Sequence, residues 1–240
     1  MDLFSSLLVV AATASATEAN ESTGDASVED RYPRSLADLR RCLQAPLADV
    51  LAFAISALTS PFLVCTVVGA ALAIRFASSW RQVVAWGGLA ALFAGLIPFG
   101  VVLLLLRRGR VTDIHVAQRE RRWLPLGAAA LSGALSLVAL HLLRTPRELQ
   151  ALGVTYLVNA VAFAAVSLHW KISVHAGVYT GAVVACGLAV NAWWWIALAA
   201  LPLVVWARTR RGRHTPLQGI AGAGMASLLT VLTYGTVAGF

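Results

Sequence analysis

The feature that most constrains this chain is a series of long apolar stretches separated by short polar segments. Residues 83–106 carry no charged side chain and exceed the ~20 apolar residues that a helix needs to cross a bilayer. Further apolar stretches occur at 47–75, 123–143, 150–169, 176–190, 194–207 and 217–239. Since 59% of the 240 residues are hydrophobic and only 12% are charged, a soluble domain of this length has too few polar side chains to cover its surface. The sequence therefore predicts an all-α fold, a polytopic transmembrane helix bundle of about six to seven spans, with a kink at Pro61 in the first span.

The chain divides into two parts. Residues 45–240 form the predicted transmembrane domain. Residues 1–44 form an N-terminal segment whose polar, acidic composition is typical of disorder, and SLADLRRCL near its end is predicted to be amphipathic. Residues 1–17 resemble a signal peptide in the length of their apolar run, but they contain Asp2 and neither Lys nor Arg. A cleaved signal and an interfacial start therefore both remain open.

Positive charge is concentrated on one side of the predicted membrane. Two spans separate residues 107–122 from residues 169–175, and two more separate the latter from residues 207–216, so all three polar segments share a side. This basic face carries Arg107, Arg108, Arg110, Arg119, Arg121, Arg122, Lys171, Arg208, Arg210, Arg211 and Arg213. The opposite loops carry Arg75, Arg81, Arg144 and Arg147. The positive-inside rule predicts that the basic face is cytoplasmic, whereas a cleaved signal peptide would reverse this orientation.

The distribution of acidic residues limits the chemistry of the chain. Of the 11 Asp and Glu residues, eight lie in the first 50 positions and none lies in the last 92. This pattern argues against a carboxylate-held magnesium ion in the C-terminal half, and hence against a polyprenyl transferase with Asp-rich motifs. The three cysteines, Cys42, Cys65 and Cys186, form no CxxC pair and are interpreted as small buried hydrophobes. The basic residues are scattered between spans, so no nucleic-acid partner is predicted.

The side chains of the basic face favour an anionic ligand. His115, His175 and His214 lie on or near this face, where the only acids are Asp113 and Glu120. The planar fork of arginine suits phosphate, and histidine can attack phosphorus or protonate a leaving oxygen. In a chain embedded in lipid, these properties predict a phosphorylated lipid headgroup as the ligand. A solvated face that merely attracts anionic lipids is the alternative.

Two features inside the spans have structural as well as functional explanations. Asn159 either lines a cavity or forms a hydrogen bond with a neighbouring helix. The sequence NAWWW contains Trp193, Trp194 and Trp195, and we predict a tight turn at an interfacial aromatic belt rather than a platform for substrate.

Three polar segments carry a recognisable spacing. In WARTRRGRHTPLQ, five residues separate Arg208 from His214, and Gln218 follows four residues later. KISVH places Ser173 two residues before His175, and DIHVAQRERRWLP lies upstream. In order and separation these segments resemble the three signature motifs of the type 2 phosphatidic acid phosphatase superfamily, over residues 107–230. The resemblance implies an integral-membrane lipid phosphatase of a divergent bacterial-type branch, with no metal or other cofactor. Its expected substrate is a lipid phosphate or an isoprenyl or polyprenyl (di)phosphate.

The resemblance also implies a role for each matching residue. His214 corresponds to the nucleophile that forms a phosphohistidine intermediate, and His175 to the general acid that protonates the leaving oxygen. The implied phosphate-binding residues are Arg208, Arg119, Arg122, Lys171 and Ser173. Gln218 stands where the family has the acid that orients the nucleophilic histidine.

The chain departs from the family pattern at several positions. Gln218 can accept a hydrogen bond from the histidine but cannot stabilise an imidazolium by charge. Ile172 and Val174 replace the proline and glycine of the second motif, and Ala207 replaces the serine of the third. Three functions therefore remain open: a working phosphatase, a relative that binds phosphorylated lipids without hydrolysis, and a transporter or scaffold. The sequence selects neither one lipid nor an oligomeric state.

Overall fold

The computed structural model describes residues 46–111 and 123–239, and all of the regular structure within these ranges is helical. The predicted N-terminal segment of residues 1–44 lies outside the described residues. The helices are α1 Leu47–Leu58, α2 Pro61–Phe76, α3 Trp80–Arg107, α4 Trp123–Leu142, α5 Arg147–Ser167, α6 Val174–Ala189, α7 Ala192–Arg210 and α8 Pro216–Val237. The predicted all-α fold is confirmed.

The helices have the length and composition of a multi-pass membrane protein. Within the described ranges, α3, α4, α5, α7 and α8 are long and apolar enough to cross a bilayer. Helices α1 and α2 together make a sixth candidate span, bent by 50° at the break before Pro61. Proline is well tolerated at the first position of a helix, where its missing N–H leaves no intrahelical bond unmade. Helix α6 is apolar but has only 16 residues, and nine of them are buried against the other helices.

The start of α7 differs from the predicted turn at NAWWW. Asn191 caps the helix, since its Oδ1 accepts a hydrogen bond of 3.0 Å from the backbone N–H of Trp193. The tryptophans then belong to a 3₁₀ segment, Ala192–Ala200, which continues as the α-helix Leu201–Arg210. A 3₁₀ helix rises ~2.0 Å per residue and an α-helix ~1.5 Å, so α7 extends over about 33 Å and matches the ~30 Å hydrocarbon core.

Small residues allow close contact between α6, α8 and the connector that precedes α6, residues 168–173. A Cβ on Gly222 of α8 would collide with the backbone carbonyl of Ser173. A Cβ on Gly177 of α6 would lie 2.9 Å from the carbonyl oxygen of Gly222 and would overlap the ring of Phe163. Close approach through small residues is the usual way that helices associate in lipid, where apolar burial gives little driving force. These contacts hold the connector against the first turns of α8.

The connector and the loop at residues 211–215 lie at one end of the bundle. The backbone N–H of Ser173 donates a 3.2 Å hydrogen bond to the carbonyl oxygen of Gln218. The start of α1 reaches the same end, because Arg210 Nε donates to Asp49 Oδ1 at 2.7 Å. The guanidinium of Arg211 also lies 5.2 Å from the ring centroid of Phe53. Two of the three polar segments of the basic face therefore meet, while residues 112–122 lie outside the described residues.

Candidate active site

The first turn of α6 positions His175. Ser173 is the N-cap of this helix, and its Oγ accepts a hydrogen bond of 3.4 Å from the backbone N–H of Ala176. Such a cap satisfies one of the N–H groups that a helix start leaves unpaired. His175 is the second residue of the helix, its side chain is buried, and its Nε2 lies away from bulk solvent. The cap therefore determines where the imidazole enters the bundle.

A glycine turn at the end of α7 positions Arg208 and His214. Gly212 has φ +65°, a left-handed conformation that other residues adopt only at a cost of ~1–2 kcal/mol. Its N–H donates to Thr209 O at 2.9 Å, and the N–H of Arg213 donates to Arg208 O at 3.0 Å, which together form a Schellman motif. This turn reverses the chain, so His214 returns to the level of Arg208. Both side chains are buried, with 9% and 3% of their surface exposed.

The capping box of α8 holds the ring of His214. Thr215 Oγ1 accepts from Gln218 N at 3.3 Å, and Gln218 Oε1 accepts from Thr215 N at 3.1 Å. The same Oε1 lies 3.2 Å from His214 Nδ1. Gln218 Oε1 already accepts from the backbone N–H of Thr215, so it is an oxygen acceptor. Its hydrogen bond with His214 therefore requires a proton on Nδ1. That tautomer leaves the lone pair of His214 on Nε2.

His175, Arg208 and His214 line one partly open cavity with a volume of about 220 Å³. The cavity continues along α5 between Phe163 and Leu149, a distance of about 21 Å at 1.5 Å per residue. Most of the side chains that line it are apolar. An imidazole pair and a guanidinium at the mouth of an apolar cavity suit an amphiphile with an anionic head.

Asn159 and Tyr156 add polar groups to this cavity. Asn159 Nδ2 donates a 2.9 Å hydrogen bond to Thr155 O in its own helix, and its buried Oδ1 has no hydrogen-bond donor among the described residues. The structure therefore supports the explanation that Asn159 lines a cavity, rather than a hydrogen bond with a neighbouring helix. Tyr156 was not among the predicted site residues. Tyr156 and Asn159 lie one turn apart inside an apolar span, on the face that also carries Ala160 and Phe163, and this pair of polar side chains is the signal that could have found Tyr156.

The other predicted site residues lie in different places. Gln218 contacts His214 outside the cavity wall, and the buried hydroxyl of Ser173 caps α6. Lys171 is half-buried in the connector and is not among the described residues that line the cavity. Arg119 and Arg122 fall outside the described residues. The structure thus brings together His175, Arg208, His214, Gln218 and the backbone of Ser173.

The electrostatics of the site are cationic. Within the described residues, the carboxylates are Asp49, which pairs with Arg210, and Glu148, in the first turn of α5 at the opposite end of the bundle. Arg213 is half-buried beside His214, and this burial lowers the pKa of its guanidinium to about 10. Arg213 therefore remains charged at neutral pH. No group of three or more His, Cys, Asp or Glu side chains suited to a metal occurs in the described part of the chain.

Comparisons of the chain with protein-family models, with curated proteins and with solved structures find no match. Functional assignment therefore depends on the geometry of the site and on the residue patterns of the chain.

Proposed function

We propose that this protein is a multi-pass membrane phosphatase that hydrolyses a lipid phosphate or an isoprenyl or polyprenyl (di)phosphate through a phosphohistidine intermediate. One observation carries the proposal: His214, held by Gln218 in the tautomer whose lone pair is on Nε2, shares an apolar cavity with His175 and Arg208. The resemblance of the three polar segments to lipid phosphatase motifs supports the same conclusion.

The first chemical step transfers the phosphoryl group to the enzyme. The lone pair on His214 Nε2 forms a bond to phosphorus while the bond from phosphorus to the lipid oxygen, or to the bridging oxygen of a diphosphate, breaks. The leaving oxygen keeps that electron pair and takes a proton from His175. Such general acid catalysis contributes about 10²–10⁴-fold in rate. Arg208 donates to the non-bridging oxygens, and a buried guanidinium neutralises their charge more effectively than an exposed one.

The second step returns the enzyme to its starting state. A water molecule attacks phosphorus and gives a proton to His175, which now acts as the base. The bond between phosphorus and Nε2 breaks, its electron pair returns to His214, and inorganic phosphate leaves. Throughout both steps Gln218 Oε1 accepts a hydrogen bond from the Nδ1–H of His214 and keeps the ring oriented.

The basic face of the bundle is proposed to be cytoplasmic. The charge count of the loops supports this orientation through the positive-inside rule. A cysteine replacing Arg210 at the end of α7, in a background without Cys42, Cys65 and Cys186, tests it. It should react with a membrane-impermeant maleimide only after the cells are opened. Labelling of intact cells at this position would reverse the orientation.

One observation favours a second function, binding of phosphorylated lipids without hydrolysis. Gln218 is neutral, so it cannot stabilise by charge the imidazolium that His214 becomes during phosphoryl transfer. A protein of this kind would hold the same headgroup between Arg208 and the two histidines and would release no phosphate.

Phosphate release by the purified protein separates the two functions. The assay uses dioleoyl phosphatidate, phosphatidylglycerophosphate and farnesyl diphosphate as substrates. We expect wild type to release phosphate from at least one of them and His214→Gln to release none. His141→Gln, which alters an exposed histidine at the end of α4, is the matched control and should retain wild-type activity.

Two results would contradict the proposed phosphatase. Release by His214→Gln would exclude the phosphohistidine mechanism. Lipid binding by wild type with no release from any of the three substrates would favour the binding function. A labelled phosphoryl group should also appear on wild type during turnover and be absent from His214→Gln.

A further inference from the structure

The cavity behind the histidine and arginine side chains has a mouth and a floor. Phe163 lies at the level of the mouth, because it packs with Ile172 of the connector and against Gly177, two residues after His175. From there the lining continues along α5 through Asn159, Tyr156 and Leu152. Its far end lies near the first turn of α5, at the opposite end of the bundle. The depth of about 21 Å exceeds one leaflet of a ~30 Å hydrocarbon core.

The floor is closed by an apolar cluster. Val68, Trp86, Leu140 and Leu149 line the cavity and also belong to one packed group of side chains from α2, α3, α4 and α5. Each of the four is at most 7% exposed. The cavity therefore has no opening to lipid through these residues, and a ligand that enters at the mouth meets a wall.

The volume of the cavity fits one short tail. A protein cavity of about 150 Å³ lined by apolar side chains holds one benzene molecule, which has six carbons. In proportion, the volume of about 220 Å³ holds about nine carbons, and two long acyl chains do not fit. Because lipid tails are as apolar as the cavity wall, a longer tail gains nothing by leaving the bilayer. A tail gains packing contacts only along the length of the cavity that ends at this floor.

We propose that this cavity holds the single hydrocarbon tail of the substrate and limits its length, so that the preferred substrate is a single-chain phosphate or diphosphate with a tail of about nine or ten carbons. The inference deepens the proposed function and rests on it. The phosphoryl group then lies between Arg208 and His214, its linkage lies near Asn159, and the tail ends against Trp86 and Leu149.

A series of isoprenyl diphosphates that differ by one unit tests the length limit. We expect kcat/KM to be highest for geranyl diphosphate and about tenfold lower for geranylgeranyl diphosphate, since discrimination by size in an apolar pocket reaches this magnitude. Dimethylallyl diphosphate should also be poorer, because it leaves most of the cavity empty. Dioleoyl phosphatidate should be a weak substrate. Equal kcat/KM across the series would overturn the inference.

Two variants change the cavity in opposite directions. Ala160→Leu fills the cavity one turn below Phe163, where Ala160 is buried and lines the wall. It should lower kcat/KM for geranyl diphosphate about tenfold and leave dimethylallyl diphosphate unchanged. Ala165→Leu makes the same substitution at an exposed position of the same helix and should match wild type. Trp86→Leu opens the floor and should raise the activity on farnesyl diphosphate relative to geranyl diphosphate.

The outcomes distinguish this inference from the proposed function. If wild type releases phosphate but Ala160→Leu has the same chain-length profile as Ala165→Leu, the tail cavity is wrong and the phosphatase stands. If no substrate is hydrolysed, binding of hexyl, decyl and hexadecyl phosphonate to protein in nanodiscs replaces the kinetic readout. Decyl phosphonate should then bind most tightly to wild type and lose about tenfold in affinity with Ala160→Leu. Affinity that rises steadily to hexadecyl phosphonate would overturn the inference.

Discussion

Gly222→Ala should separate His175 from His214 while it leaves both imidazoles intact. An alanine Cβ at this position would overlap the carbonyl oxygen of Ser173 and would lie 3.2 Å from its carbonyl carbon. These are backbone atoms, so no side-chain rotation relieves the collision. The Ser173 backbone is itself held, since its N–H donates to Gln218 O and its oxygen accepts from Gly177 N, each at 3.2 Å. The connector must therefore move away from α8, together with the first turn of α6 and His175.

The size of the effect follows from two opposing terms. Overpacking a close contact costs ~1–3 kcal/mol, and the replacement of glycine by alanine inside a helix returns ~1 kcal/mol. Gly224→Ala is the matched control, because nothing lies within 4 Å of the position that its methyl group would occupy. It therefore gains the helix-propensity stabilisation without the cost of overpacking. The difference in the free energy of unfolding between the two variants is therefore about 2 kcal/mol. In a chain of this size it corresponds to about 4–8 °C in Tm.

The loss of activity should exceed the loss of stability. A displacement of about 1 Å between reacting groups lowers turnover about 100-fold, so Gly222→Ala should lose most of its phosphate release at a temperature where it remains folded. Tm measured by the fluorescence of the native tryptophans and phosphate release from the best substrate are the two assays. If Gly222→Ala and Gly224→Ala have equal Tm and equal activity, the contact between α8 and the connector does not determine the position of His175 relative to His214.

Two further predictions concern the first turn of α8 and the loop that precedes it. Gln218→Glu preserves the capping box and replaces the neutral acceptor of the His214 hydrogen bond with a charged one. Because hydrogen bonds to charged groups are stronger by about 1.4 kcal/mol, kcat should rise about tenfold. The new carboxylate raises the pKa of the His214 imidazole, so the acid limb of kcat/KM against pH should move to higher pH. Pro216→Glu is the control: it adds the same charge to the same helix turn and should change neither kcat nor the acid limb. Gly212→Ala should lower the free energy of unfolding by ~1–2 kcal/mol and impair phosphate release, because it strains the turn that returns His214 to Arg208. Gly239→Ala strains a residue at φ +80° beyond the far end of α8 and should affect stability without changing kcat of the folded protein.

The helical spans could be predicted because the bilayer leaves few alternatives to long apolar helices. The start of α7 could not, since Asn191 followed by three tryptophans is equally compatible with a turn and with a capped 3₁₀ segment. Whether Asn191 ends one helix or begins the next depends on the packing of Trp195 against Gly187 of α6. Such a contact is not visible in composition or periodicity.

The candidate site was partly predictable for a similar reason. The spacing of Arg208, His214 and Gln218 encodes a local turn and a capping box, so sequence alone relates these residues to one another. The wall formed by α5 depends instead on which faces of distant helices meet. The sequence marks Tyr156 and Asn159 as polar residues inside an apolar span, but the cavity they line forms only when α5 packs against the other helices. The capping role of Ser173 likewise requires the exact start of α6.

The ion pair between Asp49 and Arg210 has a consequence for assembly. Its two residues are 161 positions apart, and a ribosome that adds ~5–20 residues per second needs about 8–32 s to synthesise that interval. During this time α1 is already complete and has no α7 against which to dock. The 50° break before Pro61 lets α1 take its own direction while α2 packs on α3. Helix α1 therefore joins the bundle late, and its docking over Arg210 and Arg211 completes the end of the protein that carries His175 and His214.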